Sequence, residues 1–326
     1  MPLLFPLTRR SSLLLLWLLL SPSHLTWADW KVPRENLDHR RVVGKIRIYY
    51  TQDGEHAFPV DTHTKQARLA DGAVLDRLLA QFEQANRFYS DVLDLVPPLQ
   101  NRRYLEVSSI DVHILNLGRG MGGAGDGIVR YRYRHFDAAN PAITITLSNR
   151  WRPPNSTPNH ELFHAYQYGY TYFKTSWFLE GLARSMDNAF ANRAPAEPLP
   201  QNTDEIQEIM TRSYNANTFW NRVMQLCDPG CKTSAGKTNL PQLCGGSIVR
   251  PLLEQYQTLD GIAAKNRGID PYNWPEAEQR SDKNNPYLLQ GLRGVLESHC
   301  PLHSSPELRR FHQLLREQDT RSTPLY

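Results

Sequence analysis

The chain has 326 residues, of which 40% are apolar, 10% aromatic and 21% charged. This is the make-up of an ordinary globular protein with a sizeable core, and it excludes an intrinsically disordered chain or a membrane-embedded bundle. Lys and Arg number 37 against 33 Asp and Glu, a net charge of +4 to which Arg9 and Arg10 contribute two, and so small a surplus gives no electrostatic ground for nucleic acid as a partner.

Residues 1–28 have the order of a secretory signal: Arg9 and Arg10, the apolar run Leu13 to Leu20, then Ser21-Pro22-Ser23 and the small-residue site Thr26-Trp27-Ala28. Cleavage is expected after Ala28, with the mature protein in the periplasm or outside the cell. The apolar run is shorter than the about 20 residues a membrane anchor needs, so no stable membrane insertion is expected once the leader is gone.

Within Val42 to Tyr50, Ile46, Ile48 and Tyr50 alternate with Lys45, Arg47 and Tyr49, the period of a strand with one wet face. Leu75, Leu78, Leu79, Phe82, Ala85, Phe88 and Val92 recur at helical spacing and stop before Pro97-Pro98, which predicts a helix covering the sheet. A second alternating run, Ile110 to Leu117, leads into the glycine-rich stretch Gly118 to Gly127, followed by expected strands at Ile128 to Tyr133 and Ala142 to Leu147. Gly120-x-Gly122-x-x-Gly125 matches a dinucleotide fingerprint in form, but that mechanism needs a helix N-terminus behind the loop, and a strand follows here. The stretch is read instead as a flexible rim where a ligand can approach a bare backbone, or as a mobile surface loop. The edge of the Ala142–Leu147 strand is a candidate for pairing with an extended peptide.

Beyond residue 157 the pattern turns helical, with helices expected over Pro158–Tyr170, Trp177–Phe190, Glu205–Leu226, Ser247–Tyr256 and Leu308–Arg316. The fold class is therefore α+β: a small mixed sheet with a covering helix, then a mainly helical half. The expected organisation is a sheet-bearing subdomain over 29–157 and a helical subdomain over 158–326.

At the junction stands His160-Glu161-Leu162-Phe163-His164, introduced by Ser156-Thr157-Pro158. Thr157 can cap, and Pro158 suits the first helical position, so the pentad falls in the first two turns of a helix. Residues four apart share a face, so both imidazoles can bind one Zn²⁺. Glu161 is turned about 100° from His160 and can stand beside the metal without ligating it, the position of a general base. After fifteen intervening residues comes Glu180 in Trp177-Phe178-Leu179-Glu180-Gly181-Leu182-Ala183. It can supply the third ligand if the two helices pack antiparallel, with Gly181 and Ala183 small enough for close approach. Asp187, two turns beyond Glu180, can accept the free N–H of a liganding imidazole or be a solvated helix charge.

The two-part motif His160-Glu161-x-x-His164 and Trp177-x-x-Glu180-Gly181-x-Ala183 resembles the gluzincin metallopeptidases, the clan typified by thermolysin and the aminopeptidase N family. It is closer to secreted bacterial members of that clan, in which a strand like Ile46–Tyr50 opens the domain and a Gln follows the second His as Gln167 does. The resemblance implies a zincin-like fold, His160, His164 and Glu180 as zinc ligands, and Glu161 as general base. The chain departs from thermolysin in a shorter interval between His164 and Glu180, and in Arg184 where thermolysin-like enzymes carry Asp. A peptidase of this kind also needs a donor for the oxyanion; Tyr214 is the candidate and Tyr256 the second choice.

All four cysteines, Cys227, Cys231, Cys244 and Cys300, fall in the last third. In an exported chain an even number reads as two disulfides of open connectivity, with a zinc cluster of Cys227, Cys231 and Cys244 completed by His299 or Cys300 as the alternative. The expected function is zinc-dependent hydrolysis of peptide bonds in a peptide or protein substrate. The alternative is a non-catalytic zincin-like binding module of the periplasm or cell exterior, in which Glu161 would have nothing to do.

Overall fold

The structure, a computed structural model, describes residues 34–58, 72–117, 121–136, 140–231 and 240–322. The expected leader and Gly118–Gly120 lie outside the described residues. The first strands, β1 (His39–Val43) and β2 (Ile46–Tyr50), form an antiparallel hairpin. The chain reverses at Gly44, whose φ of +55° is open to glycine at no steric cost. The strand expected over Val42–Tyr50 is thus the second arm of a hairpin, broken at the glycine.

With β3 (Ser109–Leu115), β4 (Gly122–Val129) and β5 (Ala142–Ser148), these strands make a mixed sheet in the order β1-β2-β3-β5-β4. β2, β3 and β5 are parallel, and β4 runs antiparallel to β5 at the edge. Two expectations are corrected here. The strand placed at Ile128–Tyr133 lies earlier, in the glycine stretch itself. The Ala142–Leu147 strand is interior and presents no edge, since β3 and β4 pair with its two sides. All seven residues of β5 are buried, as its run of β-branched residues suits a strand covered on both faces.

One sheet face carries Ile46, Ile48, Ile110, Val112, Ile114, Ile143, Ile145 and Leu147, packed into a single core with the helices. Against it lies α1 (Gly72–Arg87), which ends in one π-helical turn, Phe88–Val92. The opposite face is polar and also covered. Arg47 holds Asp111 through two bonds of 2.7 and 2.9 Å. His113 lies between Arg34 at 3.1 Å and the Tyr133 hydroxyl at 2.5 Å, and that hydroxyl donates to Asp111 at 3.1 Å. Burial, then the neighbouring Arg34 and Arg47, push the His113 pKa well below the ordinary histidine value. The ring is therefore neutral, accepting from Arg34 and donating to Tyr133.

The helical half comprises α2 (Thr157–Tyr170), α3 (Ser176–Phe190), α4 (Thr203–Thr211), α5 (Asn217–Cys227), α6 (Val249–Arg267), α7 (Asn285–His299) and α8 (Pro306–Ser322). The single helix expected over Glu205–Leu226 is two helices, and the one expected over Ser247–Tyr256 runs to Arg267. One apolar core joins the sheet, from Ile46 onward, to α8 at Leu315. Disulfides link Cys227 to Cys300 and Cys231 to Cys244, which fixes the connectivity and leaves no thiol for a zinc cluster. Among the described residues no helix is long and apolar enough to cross a membrane.

Candidate metal centre

Thr157 is the first residue of α2 rather than its cap: Ser156 stands at the cap position without a side-chain cap bond, and Asn155 Oδ1 accepts the Thr157 N–H at 2.9 Å. Every residue of α2 from Pro158 to Tyr170 is buried, so this helix is the central rod of the molecule rather than an amphipathic surface helix. α3 packs against it antiparallel, as the pairs His160–Asp187, His164–Glu180 and Gln167–Leu179 show.

Gly181 serves a different approach from the one expected. A Cβ there would lie 2.8 Å from Ala216 Cβ and about as close to the Trp220 ring as 3.1 Å. The bare backbone therefore admits the single 3₁₀ turn Tyr214–Ala216 and α5, not α2. The turn carries Tyr214 to the centre, its ring 5.5 Å from that of His160.

Between α2 and α3 three ligand atoms converge. His160 Nε2 is 3.0 Å and His164 Nε2 3.4 Å from Glu180 Oε2, and the ligating atoms of the three residues all lie within 4.8 Å of one another, a group that could hold a metal ion. Each imidazole is fixed from behind. His160 Nδ1 faces Asp187 Oδ2 at 3.0 Å, and His164 Nδ1 faces Gln167 Oε1 at 2.8 Å. The Gln167 amide nitrogen donates to Leu179 O at 3.2 Å, which sets the amide with its oxygen toward His164. With acceptors behind both rings, each Nδ1 keeps its proton and each Nε2 faces the shared space, where the ring can ligate once Nε2 is deprotonated. Asp187 Oδ2 also receives Arg184 Nη1 at 3.4 Å, so the residue standing where thermolysin-like enzymes have Asp braces the carboxylate behind His160.

The electrostatics follow from burial and these contacts. Burial alone would lower the His160 pKa, but the bonds to Asp187 and Glu180 outweigh it and raise it to about 10. Burial would raise the Glu180 carboxyl, and the two imidazoles overcome it and lower it. Glu161 is buried beside this group and outside it. Burial raises its pKa against the opposing pull of His164 and His160. The Tyr214 hydroxyl is held well above the ordinary tyrosine range by burial and then by Glu180, so it stays protonated.

Gly122, on the edge strand β4, meets this same glutamate. A Cβ at Gly122 would lie 2.6 Å from Thr157 Cγ2 and 3.0 Å from Glu161 Oε1. Further along β4, Asp126 is paired with Arg103 at 2.5 Å and with the buried Lys174 at 3.0 Å, which clamps the strand to the loop after α2. Tyr256 is elsewhere, in the core against Phe173 and Phe178, and takes no part in this centre. Two contributors lie outside the ligand set and the base. Gln167 is detectable as the residue three after His164, hence on its face. Gly122 stands on a strand far from α2 in sequence and leaves no local signal.

Neither protein families, curated proteins nor solved structures yield a match to this chain.

Proposed function

We propose that the protein is an exported zinc-dependent peptidase. The observation that carries this reading is the arrangement around α2: two imidazoles and a carboxylate aimed at one point, with a second carboxylate, Glu161, buried beside them and outside the ligand set. Separations of 3.0 and 3.4 Å between ligand atoms suit a tetrahedral ion with bonds of about 2.0–2.1 Å. A set of two neutral nitrogens and one carboxylate oxygen with one open place suits Zn²⁺. When bound, the zinc would supply Lewis-acid activation of a water and of the scissile carbonyl. Glu161, a buried carboxylate beside the ligands, accepts the proton of the attacking water and passes it to the leaving nitrogen. Tyr214, kept protonated, donates to the oxyanion. The edge strand β4, its outer side open to an added strand, runs past Glu161 and suits an extended peptide. The two disulfides are compatible with a periplasmic or extracellular site.

The test is metal analysis and a peptide-library digest of the mature protein. His160→Ala, His164→Ala and Glu180→Ala are expected to lose the metal. Glu161→Gln is expected to keep it, with turnover lower by at least about 10². Full metal content in Glu180→Ala refutes the third ligand. Metal loss in Glu161→Gln makes that residue a ligand rather than a base. A zinc-loaded wild type that cleaves no peptide refutes the enzyme.

A further inference from the structure

Beside the metal centre, with Tyr214 in its wall, opens a cleft of about 660 Å³ lined by Arg184, Asn188, Arg193, Tyr214, Asn215 and Asn217. That volume suits part of a peptide. Two guanidinium groups and several amides face it, and among the described residues no carboxylate lines it. Arg184 is one turn beyond Glu180, on the same helix.

Arg193 is exposed, but its backbone is held in place. Its N–H donates to Asn188 O at 2.9 Å. Asn192 takes the left-handed conformation, φ +49°, and α5 staples the segment through Asn221 Nδ2 to Pro195 O at 2.8 Å and Gln225 Nε2 to Ala194 O at 3.1 Å. A further observation points to a ligand. Asn188 is only 6% exposed, lines the cleft, and its Nδ2 has no hydrogen-bond partner. A buried donor left unpaired is costly; Nδ2 is closed to solvent here, and a turn of the Asn188 side chain toward the cleft would let an arriving acceptor remove that cost. Two guanidinium groups, one of which also contacts Asp187 at 3.4 Å, and a spare amide N–H together describe a receptor for a planar anion.

We propose that this cleft binds a carboxylate of the substrate, from an acidic side chain or from a chain terminus, between Arg184 and Arg193, with Asn188 completing the donor set. The assignment deepens the peptidase reading and rests on it for the identity of the ligand as a peptide. It places a negatively charged group in the cleft and away from the bond presented to Glu161, so Arg193 is a specificity residue and not a catalytic one.

Binding of peptides to the full-length, zinc-loaded Glu161→Gln protein, which does not consume them, reads the site by titration calorimetry. One set of hexapeptides carries Glu or Gln at each position in turn; a second compares a C-terminal acid with its amide. At least tenfold tighter binding of the charged member is expected in one set, and which set it is names the source of the carboxylate. Arg193→Glu, at an exposed position, is expected to erase the preference while zinc content and affinity for the uncharged member stay within twofold; Arg193→Gln should fall between. No preference in either set, a preference that survives Arg193→Glu, or no binding by any of the peptides overturns the site. A wild type that binds with the preference but cleaves nothing removes the peptidase reading and leaves the carboxylate site. Turnover without any charge preference removes the site alone.

Discussion

His160 and His164 each spend one ring nitrogen on a protein acceptor so that the other is free for a common point, and that division of labour was partly legible beforehand. The four-residue interval puts the two rings on one face, and the seven-residue interval from Glu180 to Asp187 spans two turns of the next helix. What no interval carries is the relation between Gly122 and Glu161, which exists only once the sheet edge is folded against α2. Asp260 was equally silent in the sequence, an acid in the interior of α6. Its Oδ2 accepts the Tyr172 N–H at 2.9 Å, yet burial pushes its pKa up to about 6 from 3.8. A carboxyl raised in the folded state binds more protons there than in the unfolded chain, so stability is lost as pH rises from about 4 to about 6. A rise of that size corresponds to roughly 3 kcal/mol. Asp260→Asn, which keeps an acceptor for Tyr172, is expected to be more stable than wild type at pH 7 and close to it at pH 4. Urea unfolding at the two pH values measures this, and an equal difference at both would refute the titration as its cause.

At the level of elements, the strongest signals were α2 and α3, whose boundaries fall within a residue of those expected. The break between α4 and α5 was not visible because no Gly or Pro punctuates Arg212-Ser213. Tertiary contacts impose it, since the Tyr214 turn must lie on Gly181. β4 was read as a loose rim because four of its eight residues are glycine, and strand propensity of that kind is overruled by pairing with β5 and by the Asp126 clamp. α7 is not among the expected helices, although Leu288, Leu292, Val295 and Leu296 are buried at helical spacing; Gly291 and Gly294 interrupt the pattern. The position of the Tyr214 turn can be tested directly. In Gly181→Ala the added methyl pushes Ala216 and Tyr214 away from α3, and turnover is expected to fall by about 10-fold or more with zinc retained, the same direction as Tyr214→Phe. Kinetics alongside metal analysis decide it, and unchanged turnover in both variants would remove Tyr214 from the reaction.

Across the whole molecule, the order of sheet first and helices after was legible from the change of apolar period. The polar layer behind the sheet was not, since Asp111 and His113 alternate with apolar neighbours just as solvated residues would. Burial of Arg34, Asp111 and His113 makes that layer a closed network in which each member depends on the others. The disulfides act on a different part. Cys227–Cys300 closes 73 residues and Cys231–Cys244 only 13, which by loop entropy corresponds to roughly 4 against roughly 3 kcal/mol. Cys227→Ser with Cys300→Ser is therefore expected to lower Tm more than Cys231→Ser with Cys244→Ser. Hydrogen exchange should rise first in α5 and α7, the helices tied together at Cys227 and Cys300. Calorimetry ranks the pairs, and equal exchange gains in sheet and helices would contradict the local effect.

The approach of β4 to α2 has a consequence for how the chain can vary. Gly122 is exposed, and exposure ordinarily licenses substitution; here a single methyl group collides with Thr157 and presses on Glu161, the proposed base. Tyr256 is fully buried, the kind of position held to be intolerant, yet its hydroxyl has no partner, and Tyr256→Phe is expected to leave stability unchanged or raise it. In a library scored for folding and for turnover, Gly122→Ala should survive the first screen and fail the second while Tyr256→Phe passes both, so that accessibility ranks the two sites in reverse. Drift among homologous sequences would then be slowest at a place on the surface.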